Sequence, residues 1–524
     1  MRHFLLLLLL GFAMMFTSCR DDFEFETSTG GLEFSRDTVY LDTVFSNIGS
    51  STYTLKVYNR SNKDIKIPNI QLGQGDNSKY RLMVDGVPGK VFNDVELLAK
   101  DSMFVFIETT IDYSEYANNT TTFLYTDNIQ FSSTTGTQKV ELVTLVQDAY
   151  FLYPQRFDEG YEAIHYNDTT DIYGFELNQN DHDDEYHWNN SKPYVIYGFA
   201  AVPSGKTLNI DPGARAYFHA NSGLLVQQGG TLNINGTPSS TGDLEKEVVF
   251  EGDRLEPDFA DIAGQWFGVI IMSATDNNIN HLTLKNATLG IWLQPKNLAA
   301  NPIVSPKLNI TNSQLYNCAN FGILAEAATI TGENLVANNA GEASVSLLLG
   351  GNYDFKYSTF ANYSTAYNQR PLDLMDYYVS GNTTYTNPLT ANFDNCIIYG
   401  SGNLGVNIDR KGDANNLQLR FNKCLIKIVD TYGQLNTLDY YNGTANKPAV
   451  ADYSSSLIAA NSSQLNPKFV DAKNNDLHII TGDSAADGAA DGNVTTQFSI
   501  DVTGLSRTTP TDIGAYESIV APPE

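Results

Sequence analysis

Basic residues are scarce in this chain of 524 residues: 32 Lys and Arg stand against 60 Asp and Glu, a formal net charge of −28. A surface that negative repels phosphate backbones and anionic lipid headgroups, which argues against nucleic acid and against adsorption on a charged membrane face. Cysteine is rarer still, with four in all. Beyond Cys19 only Cys318, Cys396 and Cys424 remain, an odd number, so at least one thiol is unpaired within the chain and all three read as buried small hydrophobes. A zinc site would need closely spaced Cys and His, and the seven His are scattered. No apolar stretch after the first 16 residues approaches membrane-spanning length. Gly-His-Gly, a Gly-x-Ser-x-Gly elbow and a His-Glu-x-x-His helix are all missing, so the common hydrolase signatures find no match.

What the chain has instead is tyrosine, 30 of them, with abundant Asn, Thr and Ser, a composition of strands separated by polar turns. Its length exceeds what one core accommodates, so two or more domains are expected. In the second half, seven stretches share an eight-residue pattern, beginning at Leu282, Leu308, Ala328, Tyr353, Ala391, Leu419 and Ala451. Each is apolar at positions one, three and eight. Position six is small in six of them (Ala287, Ser313, Ser358, Cys396, Cys424, Ser456), with Glu333 the exception. Alternate residues of a strand share a face, so both pairs point inward only if the parity changes between them. The chain must bend near position five, which is Asn286, Asn312, Gly332 or Asn395 in four of the seven, types that tolerate positive φ. The segments recur every 20 to 38 residues. Strand, one-residue bend, strand and loop, stacked on copies of itself, predicts a right-handed parallel β-helix. Thr207-Leu-Asn-Ile-Asp-Pro-Gly213 and Thr231-Leu-Asn-Ile-Asn-Gly236, near copies 24 residues apart, read as its first turns.

The chain opens with Arg2 and His3, an apolar run from Phe4 to Phe16, and Thr17-Ser18-Cys19. That run is short for a mature membrane helix and ends in small residues, so residues 1–18 read as a signal peptide. Cys19 at its boundary resembles the lipobox cysteine of bacterial lipoproteins, which implies lipidation at Cys19 and anchorage in outer-membrane lipid; the alternative is an ordinary signal with a chance cysteine. Arg20, Asp21, Asp22, Phe23 and Glu24 directly behind it resemble the sorting tag of surface-exposed lipoproteins of the Bacteroidetes. The resemblance implies an address on the cell exterior, against a plain solvated tether over residues 19–30.

Residues 31–149 alternate in short strands such as Thr38 to Phe45, Ser51 to Asn59, Ile65 to Leu72, Phe104 to Ile111 and Val140 to Val146. About seven strands in such a length predict an immunoglobulin-like β-sandwich, giving an all-β chain. Tyr53 to Asn59 and Gln138 to Thr144 resemble the bacterial sandwich modules that follow membrane anchors. Residues 150–193 read as a connector, and 194–524 as the β-helix with a C-terminal cap. Asn466-Pro-Lys-Phe-Val-Asp471, Asp476-Leu-His478 and above all Asp512-Ile-Gly-Ala-Tyr-Glu517 resemble the terminal segment of secreted bacterial β-helix proteins, which implies a pectate-lyase-like fold. Fold alone does not carry function.

Four constellations could carry chemistry. Asp181, Asp183, Asp184 and Glu185 could gather oxygen ligands for calcium, or form a solvated acidic loop. Asp409, Arg410, Lys411 and Asp413 are the best local mix of carboxylates and bases; a polysaccharide lyase of this fold would use a calcium-bound uronate and an Arg or Lys base. The long loop over residues 364–390 is rich in aromatics: Tyr367, Tyr377, Tyr378 and Tyr385, with Arg370 and Asp376, suit the stacking and hydrogen bonding of a glycan. Thr38, Thr43, Ser102 and Ser484 each follow Asp and precede an apolar residue, which resembles the O-glycosylation acceptor of the Bacteroidetes periplasm. The reading that joins these features is a non-catalytic surface lipoprotein that binds glycan or another extracellular ligand. A polysaccharide lyase or glycosidase, and a purely structural surface protein, are the alternatives. Replacing Cys19 by Ala should release the protein from membranes and abolish acyl labelling; unchanged membrane retention would overturn the lipoprotein reading.

Overall fold

The computed structural model describes residues 24–116, 121–167, 170–180, 184–298, 300, 302–441, 450–453, 455–461, 464–494 and 496–521. The expected signal peptide, Cys19 and Arg20 to Phe23 lie outside these residues, as do Asp181 and Asp183. The described chain is all-β, with a few short 3-10 turns, and divides into two units, residues 1–148 and 149–524.

The first unit is a six-stranded and a five-stranded sheet. Val39, Ile67, Ile129 and Val140 from one and Leu55, Leu82, Val105 and Ile107 from the other share one core. Alternation in Ser102–Thr109 and Thr137–Gln147 turns every second residue inward. More strands form than the seven expected, because edge pieces as short as Glu26–Thr27 and Val87–Gly89 carry no readable alternation. Buried Tyr80 fastens this core: its hydroxyl bonds the Tyr125 carbonyl (3.1 Å) and Thr144 Oγ1 (2.9 Å).

In the second unit, strands pair in parallel with strands one turn further on, which builds three ladders. Ladder 1 runs from Tyr194–Ile196 through Arg215–Phe218 and Val248–Gly252 to Leu457–Ala459. Ladder 2 runs from Phe199–Val202 to Val406–Asp409. Ladder 3 runs from Thr207–Ile210 to Ala451–Asp452. The near copies at Thr207 and Thr231 pair residue for residue: Leu208 with Leu232, Asn209 with Asn233, Ile210 with Ile234. Residues 150–193, expected to be a connector, supply a preceding turn. Tyr150–Leu152, Thr170–Glu176 and His187–Trp188 join ladders 1, 2 and 3. Pieces of two or three residues show no periodicity, and their partners lie a whole turn downstream.

The bends fall where parity changes. At the corner from ladder 3 to ladder 1, His281, Asn312, Asn334, Tyr357, Asn395 and Lys423 all have φ between 44° and 54°. Two segments of the eight-residue pattern are corrected. The one at Ala328 is two residues out: Ile330 pairs with Leu308 and Tyr353, the bend is Asn334 rather than Gly332, and position six becomes Leu335, opposite Ser313, so this turn still lacks a small residue there. The one at Leu282 describes a different corner, ladder 1 to ladder 2 at Asn286, where Asn317 and Asn339 follow with φ of 57° and 52°. Apolar residues occupy both alignments, so spacing alone cannot choose between them.

Position six is small for a polar reason. Ser313 Oγ bonds the Thr311 carbonyl (2.7 Å) and accepts the Leu282 N–H (3.1 Å) of the previous turn. Cys396 and Cys424, both free and fully buried, aim their thiols at the Asp394 and Phe393 carbonyls. Around them Phe355, Phe393, Phe421 and Tyr453 form one stacked column with successive centroids 5.6, 4.9 and 4.8 Å apart. The separation of parallel strands sets that spacing.

The carboxy-terminal segment, expected as a cap, lies instead along the outer flank of ladder 1. Its Ile479, Ala486 and Ile513 pack on Ile397, Leu425 and Ala459, and its Leu477, Val502 and Tyr516 on Val336 and Ala361. Polar locks hold it there: Asn395 exchanges two bonds with Asp491 (2.7 and 3.2 Å), and buried Arg507 reaches Glu517 (2.8 Å) and Asn334 (2.7 Å) with its guanidinium over the Tyr357 ring. At the last ladder 2 strand, the Tyr441 hydroxyl closes the open edge by accepting from Ile408 N and donating to the Val406 carbonyl, each at 2.9 Å.

Two outcomes test this interior. Phe393→Ala should cost about 3–5 kcal/mol in chemical denaturation, as for other large core aromatics. Cys396 and Cys424 should resist alkylation until the fold is melted, and Cys424→Asp, which would bury an unpaired charge, should be more damaging still. Rapid labelling of both thiols in the native protein would contradict the register.

Candidate functional site

Between Arg370–Met375 on ladder 2 and Leu389–Asp394 on ladder 3, the chain leaves the coil as an antiparallel hairpin, Tyr377–Ser380 with Thr383–Thr386, turning through Gly381 at φ 58°. Neighbouring residues of a strand point to opposite faces, so Tyr377 and Tyr378 are separated, while Tyr378 and its cross-strand partner Tyr385 share a face.

On the Tyr377 face, two constellations that are apart in sequence meet. The Tyr377 hydroxyl donates to Asp409 Oδ2 (2.6 Å), and Lys411 Nζ stands 4.1 Å from the centre of its ring. Buried Asp376 accepts the Lys411 and Gly412 N–H groups (2.8 and 2.9 Å), clamping the 409–413 loop against the hairpin base. Arg410 pairs with Asp439 (3.1 Å). Burial, then the bond to Asp409, pushes the Tyr377 phenol up to about 12. Asp413 is exposed and opens a short 3-10 turn. Tyr377, expected as a free stacking ring, is therefore engaged by Asp409 and Lys411. Nor do the other candidates gather at one place: Tyr367 is 91% exposed on the preceding loop, and Arg370 stands 3.7 Å from Asp373 on ladder 2.

The opposite face borders open space. Tyr378 and Tyr385 line a cleft of about 330 Å³ with Tyr166, Gln294 and Lys296, and Tyr385 also lines an adjoining cleft of about 530 Å³ with Leu298, Asn352 and Asn387. The Tyr166 hydroxyl donates to Gln294 Oε1, joining the Ala163–Asn167 strand to the outer column of ladder 2. One turn along that column is Glu326, 5% exposed, whose Oε2 has no hydrogen-bond partner, like the indole N–H of Trp292. Burial pushes Glu326 up to about 7, with Gln294 and Trp292 opposing. Sequence reasoning missed Tyr166, Gln294 and Glu326. A lone acid in the apolar run Phe321-Gly-Ile-Leu-Ala-Glu-Ala-Ala328 was the available signal.

The remaining candidates serve local structure. Asp184 accepts the Tyr186 N–H (3.0 Å) and Glu185 the Asn178 N–H (2.8 Å), ordering the turn before buried Trp188. Thr38, Thr43 and Ser102 are half-buried on strands, and Ser484 is buried with its hydroxyl accepting the Ala486 N–H.

Glu326 predicts a pH dependence. Its carboxyl is raised from 4.5 to about 7. The folded state therefore holds a proton that the unfolded chain releases near 4.5, and the associated stability is present below that pH and lost as pH rises through about 7. Glu326→Gln should remove this slope and be more stable than the parent at pH 8 by up to about 3 kcal/mol. Parallel stability profiles for variant and parent between pH 4 and 8 would contradict the assignment.

No family model and no curated protein matches this chain. Among solved structures it is similar to the periplasmic chaperone SfaE (14% identity, covering 22% of this chain and 58% of that one, TM-score 0.16). A Vibrio cholerae protease, VesB, is similar over 23% of this chain and 32% of that one (12% identity, TM-score 0.16). The chain thus spans less than two thirds of the length of either. The Agl-KA catalytic domain is similar over 71% of this chain and 76% of that one (12% identity, TM-score 0.23). Likenesses this slight carry no argument about fold or activity.

Proposed function

We propose that this protein is a glycan-binding surface lipoprotein, anchored through Cys19 in the outer membrane and facing the cell exterior. In this reading an immunoglobulin-like sandwich holds a right-handed parallel β-helix away from the lipid, and the hairpin cleft is the binding site. The return of each ladder one strand along supports the β-helix, and the shared core of two sheets supports the sandwich. No helix among the described residues is long and apolar enough to cross a membrane.

The observation that carries the binding site is the cross-strand pair Tyr378 and Tyr385, both directed at a cleft whose other walls bear amides and one lysine. Two phenol rings on a rigid hairpin offer apolar faces for sugar rings at low entropic cost, and Gln294 and Asn387 offer amide donors and acceptors. The ionic groups across the hairpin are paired internally, Arg410 with Asp439 and Asp376 with two backbone N–H groups, which supports binding without chemistry. The convergence of Asp409 and Lys411 on Asp376 and Tyr377 is the feature that favours the second reading, a polysaccharide lyase.

A glycan array separates these. The Tyr378→Ala/Tyr385→Ala double variant should lose at least tenfold in affinity, roughly 1.4 kcal/mol or more, while melting near the parent temperature. Unchanged binding by a folded double variant would place the ligand elsewhere. Release of unsaturated oligomers from a uronate polymer with added calcium, lost in Lys411→Ala, would establish the lyase instead.

A further inference from the structure

A wide cleft of the coil unit lies away from the hairpin, on the flank of ladder 1. It measures about 750 Å³, within the range of small-molecule sites, ~300–1,000 Å³. Its origin is a change of chemistry along one outer column. Thr283, Gln314, Val336, Thr359, Ile397 and Leu425 are successive register partners on ladder 1. Val336, Ile397 and Leu425 are sealed beneath the carboxy-terminal segment. At Gln314, and at Tyr316 beside it, the column turns polar, and the same segment overhangs it without filling the space.

The overhang is held at fixed height. Tyr516 donates to Gln314 Oε1 (3.1 Å), and Asn475 bonds both Asn317 (3.1 Å) and Asn338 (2.9 Å). The walls of this space are thus preformed. Three carboxylates, Glu247, Asp261 and Asp476, line it from three separate parts of the chain, and so do Tyr316 and Tyr516. Asp476 bonds His478 Nδ1 (2.6 Å), whose ring stands 4.5 Å from that of Tyr516. No Lys or Arg is among the residues that line it. Burial raises Glu247 above the ordinary carboxylate range, with Thr283 as its hydrogen-bond donor (2.8 Å). A cation brought alongside would favour its charged form.

We propose that this cleft is a second ligand site, separate from the hairpin cleft, and that it takes a polyhydroxyl ligand bearing a cationic amine, the chemistry of an amino sugar. The half-buried Tyr316 ring supplies a stacking face, Gln314 and the hydroxyls of Ser239 and Ser240 bond sugar hydroxyls, and the carboxylates receive the ammonium group. A uronate would meet three like charges and no basic partner. The proposal does not depend on the hairpin reading.

Isothermal titration of the full chain in 150 mM salt tests it, with β-1,4-linked glucosamine disaccharide, its N-acetylated counterpart and a galacturonate disaccharide as probes. The glucosamine disaccharide should bind one site per chain, the N-acetylated form at least tenfold more weakly, and the galacturonate not at all. Asp476→Asn should weaken the glucosamine disaccharide at least tenfold, and Glu247→Gln should do so if Asp476→Asn melts early. Asp94→Asn, an exposed acid in the first unit, controls for bulk charge and should bind as the parent does. Equal losses in Asp94→Asn and Asp476→Asn, or equal binding of the N-acetylated or uronate probe, would overturn the proposal. So would loss of glucosamine binding in Tyr378→Ala/Tyr385→Ala but not in Asp476→Asn, which would assign that ligand to the hairpin cleft.

Discussion

The lateral hydrogen bonding of each turn to the next is the constraint on which the rest of the coil unit depends. A parallel strand leaves its N–H and C=O groups pointing sideways, so every turn must be met by another in matching register or carry unsatisfied backbone. That requirement fixes the corners. A turn that shifted by one residue would move its whole inward set to solvent, so each bend must change parity by one residue, and positive φ at Asn312, Asn334, Tyr357 and Asn395 does so. It also fixes the core, because identical positions stack: the Phe355 to Tyr453 column and the adjacent Cys396 and Cys424 thiols follow from strand spacing.

Once the inward set is fixed, the three outer faces are free to differ, and they do. Ladder 1 is apolar where the carboxy-terminal segment covers it and polar where a cleft opens. The early part of ladder 2 is covered by Ala163–Asn167, which pairs with the first strand of that ladder and sets Ile164 against Phe199, Leu225 and Ile270. Ladder 3 carries a chain of side-chain amides, Asn209 to Asn233 to Asn278 to Asn309, each bonded to the next at 3.0–3.2 Å. Such a chain leaves further amide donors and acceptors for water.

How much of this was legible depended on whether the signal was local. The near copies at Thr207 and Thr231 announced their own pairing, because identical side chains stack in identical environments. Small residues at position six announced the inward column. The Ala328 segment misled because Ala328, Ile330 and Gly332 satisfy either alignment by size, and the pairing of Ile330 with Leu308 and Tyr353, the bend at Asn334 and its bond to Asn312 distinguish them. In the site, aromatic richness in residues 364–390 pointed to a loop that departs from the coil, but not to the opposite destinations of Tyr377 and Tyr378. Hairpin register decides that, and it is set by partners across a turn that composition does not specify.

The sequence by itself determined what one strand and one bend can determine: an all-β chain, inward positions for Cys396 and Cys424, and left-handed corners at Asn286, Asn312 and Asn395. These depend on local parity and on the φ that a single side chain tolerates. Only the tertiary structure decided which groups share an environment. Asp376 meets the backbone of Lys411 and Gly412, Glu326 loses its solvent one turn from Gln294, and Asp476 comes to face the same cleft as Glu247. Each pair is separated in sequence by one or more turns of the coil or by the length of the returning segment. The distances between such groups are set by stacking and by where the chain end folds back, and no local pattern encodes either.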